Sequence, residues 1–421
     1  MPPERIAALL GLRGNMYLGH LGGYPGVKVY FDSKDKKVLP RNLGIFGTVG
    51  SGKTNTAQVI IEEACAAGYA VIVLDVEGEY ISMDKPNGEV QHSRHLAALM
   101  KQFGIGPAGL ESITVYRCTG TQSKRRDARE FCINFGNLSP YALSEIMGLN
   151  EAQELRFMDL YDDAVRTLGQ ETRRGPRGKR SKWDRLKMEA VVGIDTFPGL
   201  TLDYMIERLG SQFLRDAKGP DRASWLKVKQ LLHKLRRYGI FDATGETLDP
   251  NELLRPGQLS VFDLSDATNV RINNIVIADI LRLVFQEKVT NESRPPTIVA
   301  IEEAHTFVSR ENVTRMESTV DTLREISRRG RKRWLSLCFI SQQPAHLPNE
   351  IYELCNTKII HQTTGKRNLD ALRASAGSVN DAIWGEVPIL GQGRALIASP
   401  QFQHSLMCNI RPCQTHREFT D

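Results

Sequence analysis

A mainly parallel α/β sheet is the fold this sequence predicts, and three observations predict it. Continuous apolar runs alternate with helical patterns in both the first and the last third of the chain. One of those runs enters a glycine-rich turn that opens directly into a helix. Another ends in two adjacent carboxylates. Uninterrupted apolar runs mark strands buried on both faces, which is where parallel strands sit.

Taken in order, residues 1–40 are glycine-rich and then strand-like ("VKVYF" before the turn "DSKDKK"), a remnant N-terminal β segment. Residues 41–118 form the first half of the core, with the run Leu43–Phe46, a helix, "YAVIVLDV" and "SITVYR". Strand patterns then stop. Residues 119–254 carry amphipathic helical patterns such as "RASWLKVKQLLHKLRRYGI" and read as an all-helical insertion. Within it lies a basic Gly/Pro-containing stretch, Arg173–Lys182, read either as a solvated loop or as a nucleic-acid contact. Residues 255–421 resume the core with "GQLSVFDLS", a helix near 271–289, "PTIVAIEEAH", a basic helix, "LSLCFISQQP" and C-terminal strands.

The glycine-rich turn reads Gly47-Thr48-Val49-Gly50-Ser51-Gly52-Lys53-Thr54, then Asn55. That is the G-x-x-x-x-G-K-[ST] pattern in strand–loop–helix context, the context that makes it a P-loop. Its glycines let successive backbone N–H groups point inward as an anion nest, and the helix start adds partial positive charge. Lys53 is then placed for β- and γ-phosphates and the Thr54 hydroxyl for Mg²⁺. Bound ATP with Mg²⁺ is the expectation.

A P-loop needs an acidic partner on a nearby strand, and "TIVAIEEAH" supplies Glu302 and Glu303. Glu302 is expected at the Mg²⁺ water shell, and Glu303 as the group that orients or deprotonates the attacking water. Gln342, ending the next strand, is expected at the same pocket as a γ-phosphate or water sensor. Asp75, and Glu77 two residues on, either complete the polar floor of the site or start a loop. Arg328, Arg329, Arg331 and Lys332 surround Gly330 on the basic helix. Two readings stand: an arginine finger reaching a neighbouring subunit's ATP, with Arg328 and Arg331 the candidates, or contact with DNA phosphates.

Composition bounds the rest. At 421 residues the chain suits about two or three domain-sized units, with 41% hydrophobic and 25% charged residues, ordinary for a globular protein. No apolar stretch approaches the roughly 18 residues of a membrane span, and the N-terminus lacks a secretory pattern, so the expectation is a cytoplasmic protein without a membrane partner. Seven scattered cysteines without a C-x-x-C pair read as buried thiols rather than a disulfide or zinc framework. A net charge of +6 is compatible with a nucleic-acid partner.

With these segments in order, the chain resembles the HerA branch of the HerA/FtsK ATPases. The matching pieces are "GIFGTVGSGKTNT", "VLDVEGEY", "IVAIEEAH", "ISRRGRK" and "FISQQPAHLPNEIYELCNTKII". The resemblance implies a RecA-like P-loop ATPase core in a hexameric ring that threads double-stranded DNA. It also implies a docked nuclease, NurA-like in DNA end processing, or another effector in anti-phage defence. Two departures stand out: the family's R-E-G-R-K is Arg328-Arg329-Gly330-Arg331-Lys332 here, and its S-Q-R-P is S-Q-Q-P. Which arginine is the finger therefore stays open. Two alternatives remain beside the translocase: an ATPase scaffold that gates an effector, and a soluble conjugation or type IV secretion ATPase.

Overall fold

The computed structural model describes residues 2–174, 197, 199–243, 245–266, 270–306, 317–377 and 379–418. Twelve strands form one sheet: β1 (Met16–Leu21), β2 (Tyr24–Phe31), β3 (Asn42–Phe46), β4 (Ala70–Asp75), β5 (Ile113–Cys118), β6 (Arg129–Phe131), β7 (Leu259–Asp263), β8 (Thr297–Ile301), β9 (Leu335–Ser341), β10 (Cys355–Ile360), β11 (Arg394–Ala398) and β12 (Leu406–Ile410). Across the sheet the order is β2-β1-β12-β11-β10-β3-β9-β8-β4-β7-β5-β6. From β10 to β6 every pairing is parallel, whereas β11, β12, β1 and β2 join antiparallel.

Register brings the site together. Phe46 lies opposite Ser341, Ile301 opposite Phe339, and Leu74 opposite Ile301. The carboxyl ends of β3, β9, β8 and β4 therefore share one rim, where open α/β sheets bind ligands. Alternate side chains feed two cores. Leu43, Ile45, Val71 and Val73 pack with Val59 and Ile60 of the P-loop helix (Lys53–Ala66) on one face. Phe46, Ile72 and Leu74 face the other way, toward Leu143, Phe157, Met205, Trp225 and Leu232 of the insertion and Leu281 of the helix Val270–Thr290. Each such buried branched or aromatic side chain stabilises the fold by roughly 1.5–3 kcal/mol.

The insertion is built from Pro140–Met147, Glu151–Arg174, Leu202–Arg208 and Gly219–Arg237, together with shorter turns. Its first helix starts where the Ser139 hydroxyl accepts from Ala142 N–H, with Pro140 at the first position, and ends on left-handed Gly148. The basic residues that follow Arg174 lie outside the described residues.

Two expectations change. The sequence pattern places the end of the early strands near residue 118, but Arg129–Phe131 pairs in parallel with β5 and extends the sheet into the segment read as all-helical. Only one apolar residue of that tripeptide is buried, so it carries no periodic signal. The N-terminal strands are not set apart from the core either. β1 pairs with β12, so both lie in the same sheet as the P-loop strand β3. All seven cysteines are buried and free. Among the described residues, no helix is long and apolar enough to cross a membrane.

Candidate nucleotide site

The P-loop leaves β3 at Phe46 and winds through glycines with positive φ: 74° at Gly50 and 109° at Gly52. Such angles favour glycine and turn the intervening N–H groups inward. At Gly47 space is the constraint. A Cβ there would sit 2.6 Å from both His361 Cβ and Ser51 Oγ. The loop is pinned from outside. Thr48 donates to Gln362 O through its N–H (2.8 Å) and its hydroxyl (3.0 Å), Ser51 Oγ donates to Thr48 O (2.7 Å), and Gly393 N–H donates to Ser51 O (3.2 Å). Beneath it the buried His361 ring bonds Thr56 Oγ1 through Nε2 (2.8 Å). Burial lowers the pKa of that imidazole to about 4, keeping it neutral.

Lys53 opens the helix, buried, with Nζ donating to Thr48 O at 3.1 Å. Burial lowers its pKa, while the carboxylates of Glu303, Glu79 and Glu302 pull the other way. Thr54 follows half-buried, and Val49 stands at the exposed apex. Asn55, expected from its place after Thr54 to continue the nucleotide-binding loop, turns its side chain elsewhere. Its side chain accepts from Cys413 N–H (2.8 Å) and donates to Arg411 O (2.9 Å), so it ties down the 411–418 segment and leaves only its backbone to face a phosphate.

The two glutamates after β8 diverge. Glu303 is buried with φ +43°, a conformation costing a non-glycine residue roughly 1–2 kcal/mol. Its carboxylate faces His305 Nδ1 (3.0 Å) and accepts from Gln342 N–H (3.4 Å). Burial pushes this carboxyl up, but His305, Lys53 and Gln342 together hold it below the usual range, so it stays ionised. An oriented carboxylate close enough to feel the P-loop lysine's charge is the arrangement a water-activating base needs.

Glu302 points the other way, onto Asp75. Asp75 is fully buried and accepts from Gly78 (2.7 Å), Glu79 (3.1 Å) and Tyr80 (2.9 Å) N–H groups. Burial, and then the Asp75 charge and hydrogen bond, raise Glu302 well above the carboxylate range; Asp75 rises to about 6. Three backbone donors favour the ionised form of Asp75, so the upward push falls mainly on Glu302. Asp75 thus resolves as the knot of the 75–80 loop, the floor of the site rather than a phosphate contact.

Arg328 and Arg331 are exposed at the turn preceding β9, whose far end carries Ser341 and Gln342. Seven residues of strand separate them, about 20 Å at roughly 3.3 Å per residue. They lie on the opposite rim from their own chain's Lys53 and Glu303. His305, Glu79 and Arg417 were missed from sequence. His305 stood in view in E-E-A-H, two residues past Glu303. Glu79 and Arg417 form an ion pair that no local pattern announces.

The donor set suits Mg²⁺, which takes few protein ligands and otherwise phosphate and water oxygens. Thr54 and the glutamates offer oxygens, and among the described residues no group of three or more His, Cys, Asp or Glu could hold a metal alone.

The chain is similar to known proteins along most of its length. The DNA double-strand break repair helicase HerA of Pyrococcus furiosus is 22% identical over 411 residues, covering 89% of this chain. The chain spans 65% of that relative's length. VirB4 of Thermoanaerobacter pseudethanolicus shares the fold with a TM-score of 0.61 at 16% identity, over 94% of this chain and 96% of that one. The plasmid coupling protein TrwB, solved with a non-hydrolysable ATP analogue, gives 0.55 at 12% identity, over 97% and 92%. A family model described as Helicase HerA, central domain, matches residues 16–284, more than half of the chain. The chain belongs to that HerA family.

Proposed function

We propose that this chain is an ATP-hydrolysing, ring-forming motor that moves on double-stranded DNA. The observation that carries the reading is Glu303, buried at the rim of a P-loop sheet with its carboxylate on His305 Nδ1 and Gln342 N–H and its charge acting on Lys53. Backbone N–H groups of Gly47–Thr54 cradle the phosphates, and Lys53 binds the β- and γ-oxygens. Glu303, aligned by His305 and Gln342, takes a proton from the attacking water. Mg²⁺, held by Thr54, would neutralise charge building on the phosphates; Glu302, expected from the sequence in its water shell, is turned onto Asp75 instead.

The position of Arg328 and Arg331 supports an oligomer: a finger on the opposite rim serves only another copy's site. We take the assembly to be a hexameric ring threaded by duplex DNA, with a nuclease or defence effector docked on it, as the HerA resemblance implies.

The test is ATP turnover with and without duplex DNA across a salt titration, since phosphate contacts weaken steeply with salt. Stimulation at low salt, lost in Lys53→Ala and Glu303→Gln proteins that still fold, is expected. No stimulation at any salt sinks the motor. Mixing Arg331→Ala, or Arg328→Ala, with Lys53→Ala subunits should restore some turnover. Absence of recovery in verified mixed rings removes the finger.

A further inference from the structure

The segment following β12 straps the P-loop helix. Buried Arg411 pairs with Glu62 and Glu63 (both 2.8 Å), and Glu62 also accepts from the N–H groups of Gln414 (2.8 Å) and Thr415 (2.9 Å). His416 N–H donates to Lys85 O (2.8 Å), and Glu418 N–H to Glu79 O (3.2 Å). Arg417 is thereby bracketed by backbone bonds on both sides. Its guanidinium pairs with Glu79, which the Asp75 knot holds in turn through its N–H.

Glu79 is buried on the loop that leaves the carboxyl end of β4, its N–H on Asp75 Oδ1, beside the end of β8 that carries Glu303, and its charge favours the Lys53 ammonium. Glu303 already stands ionised there. A second uncompensated carboxylate would repel a triphosphate, whose charge is concentrated at its terminal phosphate. Arg417 supplies the compensation, from a segment nearly the whole chain away in sequence.

We propose that Arg417 is a positioning residue of the nucleotide site that sets affinity for the triphosphate by neutralising Glu79. This deepens the reading of Lys53 and Glu303 as an ATP site and rests on it. Docking of the 411–418 strap then becomes part of what makes the site selective for triphosphate over diphosphate.

The experiment titrates the purified protein with ribose-labelled fluorescent ATP and ADP at fixed salt. Arg417→Ala should weaken ATP roughly tenfold, the effect of one unpaired charge on the order of 10 Å away, and ADP about threefold or less. Adding Glu79→Gln to Arg417→Ala should restore ATP affinity, because the unpaired carboxylate is gone. A mere strut gives a different result: a lowered unfolding midpoint, equal effects on both nucleotides and no rescue. Equal effects, or selective weakening that Glu79→Gln does not rescue, overturn the proposal. If wild type binds neither nucleotide and Lys53→Ala changes nothing, the ATP-site reading falls with it. Wild-type binding with an indifferent Arg417→Ala overturns this inference alone.

Discussion

Replacing Asp75 by asparagine tests the buried acid pair directly. Asp75 is held near 6 against an ordinary 3.8, a difference of about 3 kcal/mol between its protonated and ionised forms. An acid whose folded pKa is raised takes up protons on folding. Its contribution is therefore most favourable below the unfolded pKa and is lost as pH rises from about 4 to about 6. An asparagine at this position carries no such cost, but its amide can accept only through Oδ1. Gly78 and Glu79 N–H keep that partner, whereas Tyr80 N–H, now facing the asparagine NH₂, loses its own at about 1–3 kcal/mol. Asp75→Asn should thus be less stable than wild type by about 1–3 kcal/mol at pH 4 and roughly equal to it, or more stable, at pH 7. The assay is urea unfolding of both proteins across that interval, followed by tryptophan fluorescence, with the wild-type-minus-variant difference plotted against pH. A difference that stays flat, or grows with pH, refutes the raised pair.

Three further outcomes are expected. Glu303→Gly removes a left-handed strain of about 1 kcal/mol, so its unfolding free energy should stay within about 1 kcal/mol of wild type while ATP turnover falls about 100-fold or more. Arg411→Met leaves Glu62 and Glu63 without their shared cation; thermal or chemical unfolding should show a loss of about 3–5 kcal/mol. Gly47→Ala forces a methyl into His361 and Ser51, and isothermal titration should find nucleotide binding abolished in a protein destabilised by about 1–3 kcal/mol.

What could be read in advance follows the range of each interaction. The P-loop, the Glu302–Glu303 pair and the parallel strands are local patterns, each contained within about ten residues, and the fold class and the family resemblance follow from them. Asn55 looks like one more P-loop residue because nothing nearby shows that its amide serves Arg411 and Cys413. Glu302 and Asp75 lie far apart in sequence and become a proton-sharing pair only because β8 and β4 are neighbours. β6 is too short to show alternation, and β1 and β12 find their place through each other. Periodicity sees faces and turns; it does not see which distant chain lies across the gap.

The placement of β3 between β10 and β9 has a consequence for synthesis. Asn42 lies opposite Cys355, and Leu43 opposite Cys338, so the strand that launches the P-loop meets neither neighbour until most of the polypeptide has left the ribosome. During that interval an apolar strand and its helix wait without flanks, a state exposed to aggregation. Nucleotide capture is therefore a late event in this protein's biogenesis, and it reports that the final third of the chain has arrived.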